Sequence, residues 1–259
     1  MIEAARILGQ ARRDNTGVSL PGEMVPTGED AAYALQAALH QWQQAAGHGR
    51  VSGYKIGCTT AVMQEIVGVP NPIFGGVLDV NVHQDSATFA LKDFQGVGIE
   101  CEIAFRLGAD LPANGAPYRR DQIEAAIGSC MAAIEVVDNR YGDFRKTPSP
   151  VLIADDFFHS ACVLGAEVVD WRGVDLAATE GRTYINGRPE GLGLGAEVLG
   201  HPVEAMVWIA NRMAALGRDL QAGEFILTGS LTPVYWLNNV PAEAVISIDD
   251  LGDVRALFN

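Results

Sequence analysis

The stretch from Gly96 to Leu107 constrains this chain more than any other. Val97, Ile99, Cys101, Ile103 and Phe105 alternate with Gly98, Glu100, Glu102, Ala104 and Arg106, and a period of two predicts a β-strand with one apolar face. On such a strand Glu100 and Glu102 share the other face, roughly 7 Å apart along the backbone. Two carboxylates side by side repel unless water or a cation screens them, and a hard divalent ion such as Mg²⁺ or Mn²⁺ takes carboxylate oxygens. Spacing alone leaves two readings: a solvent-facing strand with ordinary acids, or part of a metal site.

A third acid bears on the choice. Glu135 lies in Ala132-Ala-Ile-Glu-Val-Val137, an apolar strand with little reason to hold a charge unless it is paired or coordinated. Arg140 follows closely, so a buried Glu135–Arg140 ion pair and metal coordination both account for it. Lys55 is one of only three lysines and sits between Tyr54 and Ile56. An ammonium in an apolar strand before a glycine turn suggests a cation beside a pocket, able to bind a carboxylate or move a proton. The alternative is a lysine whose stem packs while its head reaches water.

The rest of the chain fits a mixed α+β fold. Thr27-Gly-Glu-Asp30 has capping-box character and opens an Ala-rich helix to about Gly47. Val51 to Gly57 reads as a strand, and Thr59 or Thr60 caps a helix over Ala61 to Val67. A helix is expected over Arg120 to Cys130, then a strand from Ala132 to Val137. Asn186-Gly187 marks a hairpin turn, and Pro202 opens an amphipathic helix that Gly217 closes. Short strands finish the chain at 225–228, 245–248 and 254–258. Without regular βα alternation, neither a doubly wound sheet nor a (β/α)8 barrel is expected.

Charge and composition exclude several functions. Hydrophobic residues make up 48% and charged residues 19%, enough to bury a core. The net charge of -14 repels nucleic acid, and it means that an anionic substrate needs a local cation. Apolar stretches fall short of the roughly 20 residues of a membrane span, and no secretory signal is visible, so a cytoplasmic chain is expected. Cys58, Cys101, Cys130 and Cys162 lack metal or disulfide spacing. The Gly191-Leu-Gly-Leu-Gly-Ala196 run follows a polar hairpin rather than a strand, which argues against a dinucleotide site.

Taken in order, Gly53-Tyr-Lys-Ile-Gly57, Phe74-Gly75, Ile99-Glu-Cys-Glu-Ile103, Ile134-Glu-Val-Val-Asp138 with Arg140, Leu199-Gly-His-Pro202 and Ile226-Leu-Thr-Gly-Ser230 span nearly the whole chain. The series resembles the 2-keto-4-pentenoate hydratase and 4-oxalocrotonate decarboxylase branch of the fumarylacetoacetate hydrolase superfamily. The resemblance implies a β-rich roll over residues 71–259 with a smaller N-terminal α/β portion, 1–70, packed on it. It implies a Mg²⁺ or Mn²⁺ site at Glu100, Glu102 and Glu135, and homo-oligomers. Lys55 is implied as an active-site cation, with Asp79, Arg140 and His159 completing the candidate catalytic set. Thr228, Ser230, Phe158 and Ser160 are the candidate substrate contacts.

The implied activity is that of a hydro-lyase acting on a 2-hydroxy-2,4-dienoate or related small 2-oxo acid, in aromatic compound catabolism. A decarboxylase, an acylpyruvate C–C hydrolase and a non-catalytic binding protein are the alternatives. One departure stands out: where such hydratases continue with Asn-Ala-Ser after Ala154-Asp155, this chain reads Asp156-Phe-Phe-His-Ser160. If the segment is a strand, Phe157 and Phe158 face opposite ways, with Phe158 in the pocket and Phe157 in the core. His159 or Ser160 would then restore a polar contact.

Overall fold

The computed structural model describes all 259 residues. Helices α1 (Ile2–Arg13) and α2 (Glu29–Ala45) precede β1 (Val51–Gly57), α3 (Ala61–Val67), β2 (Ile73–Leu78) and the short strands β3 (Val82–Gln84) and β4 (Ser86–Phe89). The middle of the chain holds β5 (Val97–Leu107), α4 (Arg120–Ala126), β6 (Ile127–Asp138), α5 (Ser149–Ala154) and β7 (His159–Leu164). It ends with β8 (Glu180–Ile185), β9 (Arg188–Leu194), α6 (Pro202–Ala215), β10 (Phe225–Ser230), β11 (Tyr235–Trp236), β12 (Ala242–Ile248) and β13 (Gly252–Phe258).

Two sheets organise these elements. The larger runs β2-β1-β10-β5-β6-β7-β3, with β11 added against β5; the smaller runs β4-β13-β12-β8-β9. Because β1 lies between β2 and β10, residues 1–70 contribute a strand to the large sheet rather than only packing on it. No helix is long and apolar enough to cross a membrane.

The central strands are covered on both sides. Ile99, Cys101, Ile103 and Phe105 of β5 join the main core. On the opposite face Ala104 packs with Met131, Ala133, Leu227 and Phe225 in a separate apolar cluster. The expected two-faced strand is therefore buried on both faces, and its glutamates open into the interior of the roll rather than to bulk solvent.

Local signals account for most element boundaries. Thr60 Oγ1 accepts a hydrogen bond from the Met63 N–H (3.3 Å) at the start of α3, and Gly68 closes that helix in the left-handed region. Asn186 and Gly187 both have positive φ (50° and 74°), as the tightest hairpin turn requires. Two expectations fail. Helix α2 begins after an extended Gly28, and Thr27 forms no capping box. The helix expected to reach Cys130 stops at Ala126, because Ile127, Ser129 and Cys130 pair with Leu107, Arg106 and Phe105 of β5. Long-range pairing here overrides the local helical pattern.

Candidate metal centre and active site

The pairing of β5 with β6 builds an acidic cluster. Glu100 stands directly opposite Glu135, and Glu102 follows two residues along the same face, opposite Ala133. One carboxylate oxygen from each of Glu100, Glu102 and Glu135 lies within 4.8 Å of the others. Glu102 and Glu135 are fully buried. Glu102 Oε2 accepts from the Gly229 N–H (2.8 Å), whereas Glu102 Oε1 and Glu135 Oε2 have no hydrogen-bond partner. Two unpartnered buried carboxylate oxygens beside a third acid fit a hard divalent cation.

Lys55 supplies the cluster's permanent positive charge. Its Nζ is 2.9 Å from Glu135 Oε1, with both side chains buried, and His159 Nδ1 lies 2.9 Å from the same oxygen. Burial opposes the Lys55 charge, but Glu135 and Glu100 outweigh it and raise its pKa. Burial likewise pushes the Glu135 carboxyl up, yet Lys55 and His159 bring it below the usual carboxylate range. Glu100 goes the other way, pushed up to about 8 by burial and by Glu135. Burial and the same neighbour raise Glu102 well above its ordinary value. Burial and mutual repulsion thus oppose full ionisation of the three acids.

A cleft leads to Lys55 and Glu100 and has two arms that share Lys55, Met63, Glu100, Phe157 and Val234. One arm, about 340 Å³, is bordered by Thr59, Thr60, Ser230 and Thr232. The other, about 230 Å³, is largely apolar, with Val137, Phe144, Phe158 and Trp236 on its walls and Arg145 beside them.

The 156–158 segment is not a strand. Asp156, Phe157 and Phe158 take φ of 52°, 43° and 66° in succession, a left-handed turn that costs non-glycine residues about 1–2 kcal/mol each. Asp156 Oδ1 pins it by accepting from the Gly76 N–H (2.8 Å) and contacting His40 Nε2 (2.8 Å). Gly75 is required alongside, since a Cβ there would stand 2.6 Å from the Asp156 carbonyl oxygen. Both aromatic rings consequently border the apolar arm; Phe157 also packs in the main core, and its ring centre lies 5.1 Å from Lys55 Nζ. The rings meet edge to face at 5.0 Å.

Other expected site residues lie elsewhere. Asp79 is exposed and paired with Arg50 (3.5 Å), outside the cleft. Arg140 does not pair with Glu135; its Nη2 binds Asp155, because the turn after β6 carries it past the end of the strand. Thr228 is buried with its hydroxyl donating to the Ile103 carbonyl (2.8 Å), and it does not border the cleft. Ser230 does border the cleft, but its proton goes to the Thr232 carbonyl (2.7 Å). Ser160 and Arg140 line a second cavity behind the cluster, and His159 links that cavity to Glu135. Thr59, Met63, Val234 and Trp236 were missed, since nothing in their local sequence distinguishes a cleft wall from a core.

Comparison with known proteins agrees with this architecture. The family model described as fumarylacetoacetate (FAA) hydrolase C-terminal matches residues 65–258. A 2-keto-4-pentenoate hydratase of Paraburkholderia xenovorans is 33% identical over 258 residues, 99% of this chain and 94% of that one. A 2-hydroxyhexa-2,4-dienoate hydratase of Comamonas testosteroni is 37% identical over 223 residues, covering 84% and 80%. The structure of 4-oxalocrotonate decarboxylase from Pseudomonas putida G7, complexed with magnesium and adipate, superposes with a TM-score of 0.91 at 27% identity, covering 100% of this chain and 97% of that one. The chain belongs to the fumarylacetoacetate hydrolase family.

Proposed function

We propose that this chain is a divalent-metal-dependent hydro-lyase acting on a 2-hydroxy-2,4-dienoate or a closely related small 2-oxo acid with an apolar, planar tail. The observation that carries the reading is the convergence of three carboxylates within 4.8 Å, two of them with unpartnered buried oxygens, beside Lys55 at the cleft. Its nearest support outside the chain is the pair of hydratases reported above. Glu100, Glu102 and Glu135 would hold Mg²⁺ or Mn²⁺, which supplies Lewis-acid stabilisation of the oxyanion that develops on a 2-oxo acid.

The chain's own residues do the remaining work. Lys55 provides the local cation that a protein of net charge -14 needs for an anionic substrate. Its position against Glu135 also lets it donate or take up a proton at the substrate. Phe157, Phe158, Phe144 and Trp236 give a conjugated tail flat apolar surface and exclude water from it. Water would reach the reacting carbon through the other arm, where Thr59 and Thr60 stand at the wall. Ser230 offers only an acceptor lone pair there, its proton being held by Thr232.

Arg145 favours a second reading. It borders the apolar arm, stacked 5.2 Å over Phe144, where it could meet the distal carboxylate of a 2-oxo-enedioate, the substrate type of a decarboxylase. The adipate bound to the Pseudomonas putida decarboxylase is itself a dicarboxylate. We also read the chain as a homo-oligomer: β9 is an edge strand of the smaller sheet, and Leu192 and Leu194 on it are exposed.

A spectrophotometric screen separates the readings. 2-Hydroxypenta-2,4-dienoate, 2-hydroxyhexa-2,4-dienoate, a 2-oxo-enedioate and an acylpyruvate are each incubated with Mg²⁺, Mn²⁺ or chelator. Metal-dependent loss of dienoate absorbance with a hydrated product supports the hydro-lyase. Carbon dioxide release that Arg145→Ala abolishes supports the decarboxylase. Inertness towards all four with either metal refutes both.

A further inference from the structure

No residue before Lys55 borders the cleft, yet part of its wall is held from that end of the chain. The turn at Asp156, Phe157 and Phe158 is left-handed at three consecutive residues, and such a segment keeps its shape only where its surroundings over-determine it. Helix α2 supplies some of the ties: His40 Nε2 contacts Asp156 Oδ1, and Gln36 Nε2 donates to the Phe74 and Ile153 carbonyls (3.0 and 2.8 Å). Helix α1 supplies the others through one side chain.

Arg12, in the last turn of α1, directs all three guanidinium nitrogens at the two ends of that turn. Nε donates to Asp155 Oδ1 (2.7 Å), Nη2 to the Asp155 carbonyl and Nη1 to the His159 carbonyl (3.0 Å). Nη2 also lies 3.7 Å from Asp156 Oδ2. Asp155 is fully buried, and its Oδ2 accepts from Tyr141 Oη (2.6 Å) and from Arg140. Tyr141 in turn meets the Phe158 ring edge to face at 5.0 Å. Arg12 therefore reaches Phe158 by two routes, along the backbone of the turn and through Asp155 and Tyr141. The helix that carries it is closely seated: a Cβ at Gly9 would stand 2.2 Å from Trp42 Cε3 of α2.

A planar fork of five donors can serve acceptors in several directions at once, which a lysine ammonium cannot do with the same geometry. We infer that Arg12 is a positioning residue for the cleft: from α1 it bridges both ends of the 156–158 turn and so sets how closely the Phe157 and Phe158 rings wall the apolar arm. The inference rests on the reading of that arm as the seat of the substrate's tail.

Calorimetry on the manganese-loaded full chain compares pyruvate, which has no tail, with 2-oxohexanoate, which carries further carbons for the arm. Burial of those carbons should favour 2-oxohexanoate at least about tenfold in the wild type. Arg12→Lys keeps the charge and loses the fork; the preference should fall to about threefold or less, with pyruvate binding held within about twofold. In a Phe158→Ala background, which already lacks that wall, Arg12→Lys should change the preference by less than about twofold. Arg13→Lys, one residue on and exposed, should change nothing. Hydrogen exchange of the metal-free chain gives a reading free of any ligand. The Phe157 and His159 N–H groups donate to the Leu152 and Asp156 carbonyls, and Arg12→Lys should speed their exchange at least about tenfold relative to β5. A preference that Arg12→Lys retains, an equal loss for both acids, or full additivity with Phe158→Ala overturns the inference. So does exchange at Phe157 and His159 that is unchanged relative to β5, or a wild type that binds both acids equally. If neither acid binds the wild type, the proposed function falls, and the exchange result alone decides on Arg12.

Discussion

Lys55→Met keeps the length and apolar stem of the side chain but removes the ammonium 2.9 Å from Glu135 Oε1. Both partners are buried, at 2% and 0% side-chain exposure, and breaking such a pair from one side costs about 3–5 kcal/mol. His159 Nδ1 remains on the same oxygen, which places the loss near the lower end, about 3 kcal/mol. Loss of the contact with the Phe157 ring adds about 0.5–1 kcal/mol. The deficit should depend on pH with a definite sign. Glu135 has a depressed pKa in the folded chain, so its contribution is present above the unfolded carboxylate value of about 4.5 and fades as pH falls towards the folded one. The variant should therefore be most deficient near neutral pH and approach the wild type in acid.

A bound divalent ion would compensate the same carboxylates, so saturating Mn²⁺ should shrink the deficit to about 1 kcal/mol. Urea unfolding of both proteins at pH 7 and pH 3, with chelator and with Mn²⁺, measures all four quantities. Activity should fall by roughly 10²–10⁴ even with metal bound. Equal stability of variant and wild type without metal would refute the ion-pair argument. A deficit indifferent to Mn²⁺ would refute the link between Lys55 and the metal centre.

Four further outcomes follow from the same geometry. Metal binding at pH 7 should release protons, because burial and Glu135 push Glu100 up to about 8 and raise Glu102 well above its ordinary value; calorimetry in buffers of different ionisation enthalpy counts them. For the metal-free chain, a raised carboxylate pKa means that the Glu100 contribution to stability declines as pH rises from about 4.5 to about 8, visible as a falling melting temperature. Phe158→Ser should open the apolar arm and raise kcat/KM for the small pentadienoate relative to longer-tailed acids, read from paired steady-state assays. Gly229→Ala places a Cβ 2.6 Å from Thr59 Cγ2 at φ +114°, a strain of about 1–3 kcal/mol; moving the N–H from Glu102 should lower metal affinity, measured by calorimetry.

Much of the site was legible in the sequence because its signals are local. An alternating strand places Glu100 and Glu102 on one face, and an acid inside an apolar strand flags Glu135. A cation between Tyr54 and Ile56 flags Lys55. What joins them is not local. Lys55 meets Glu135 only because the sheet order β1-β10-β5-β6 brings distant segments together, whereas Arg140, near in sequence and one of two ways to account for Glu135, binds Asp155 instead. The 156–158 turn was unreadable for a different reason: three consecutive left-handed non-glycine residues leave no propensity signal, and tertiary hydrogen bonds to Asp156 enforce them. That turn leaves Phe158 at the pocket and Phe157 in the core, and it adds Phe157 to the wall of the apolar arm. Asp79, at the end of β2, depended on where that strand stopped, and it stops at an exposed pair with Arg50.

The central claim is that Glu100, Glu102 and Glu135 hold one divalent ion. Glu102→Gln tests it most cleanly, because Glu102 pairs with no cation and its replacement leaves the Lys55–Glu135 pair in place. Titration of metal-stripped protein with Mn²⁺, followed by electron paramagnetic resonance, should give one tight site per wild-type chain. In Glu102→Gln the affinity should fall roughly a hundredfold, since ligand charge sets affinity at such sites, with the fold retained by circular dichroism. Mn²⁺ bound equally tightly by Glu102→Gln, or no tight site in the wild type, would contradict the account.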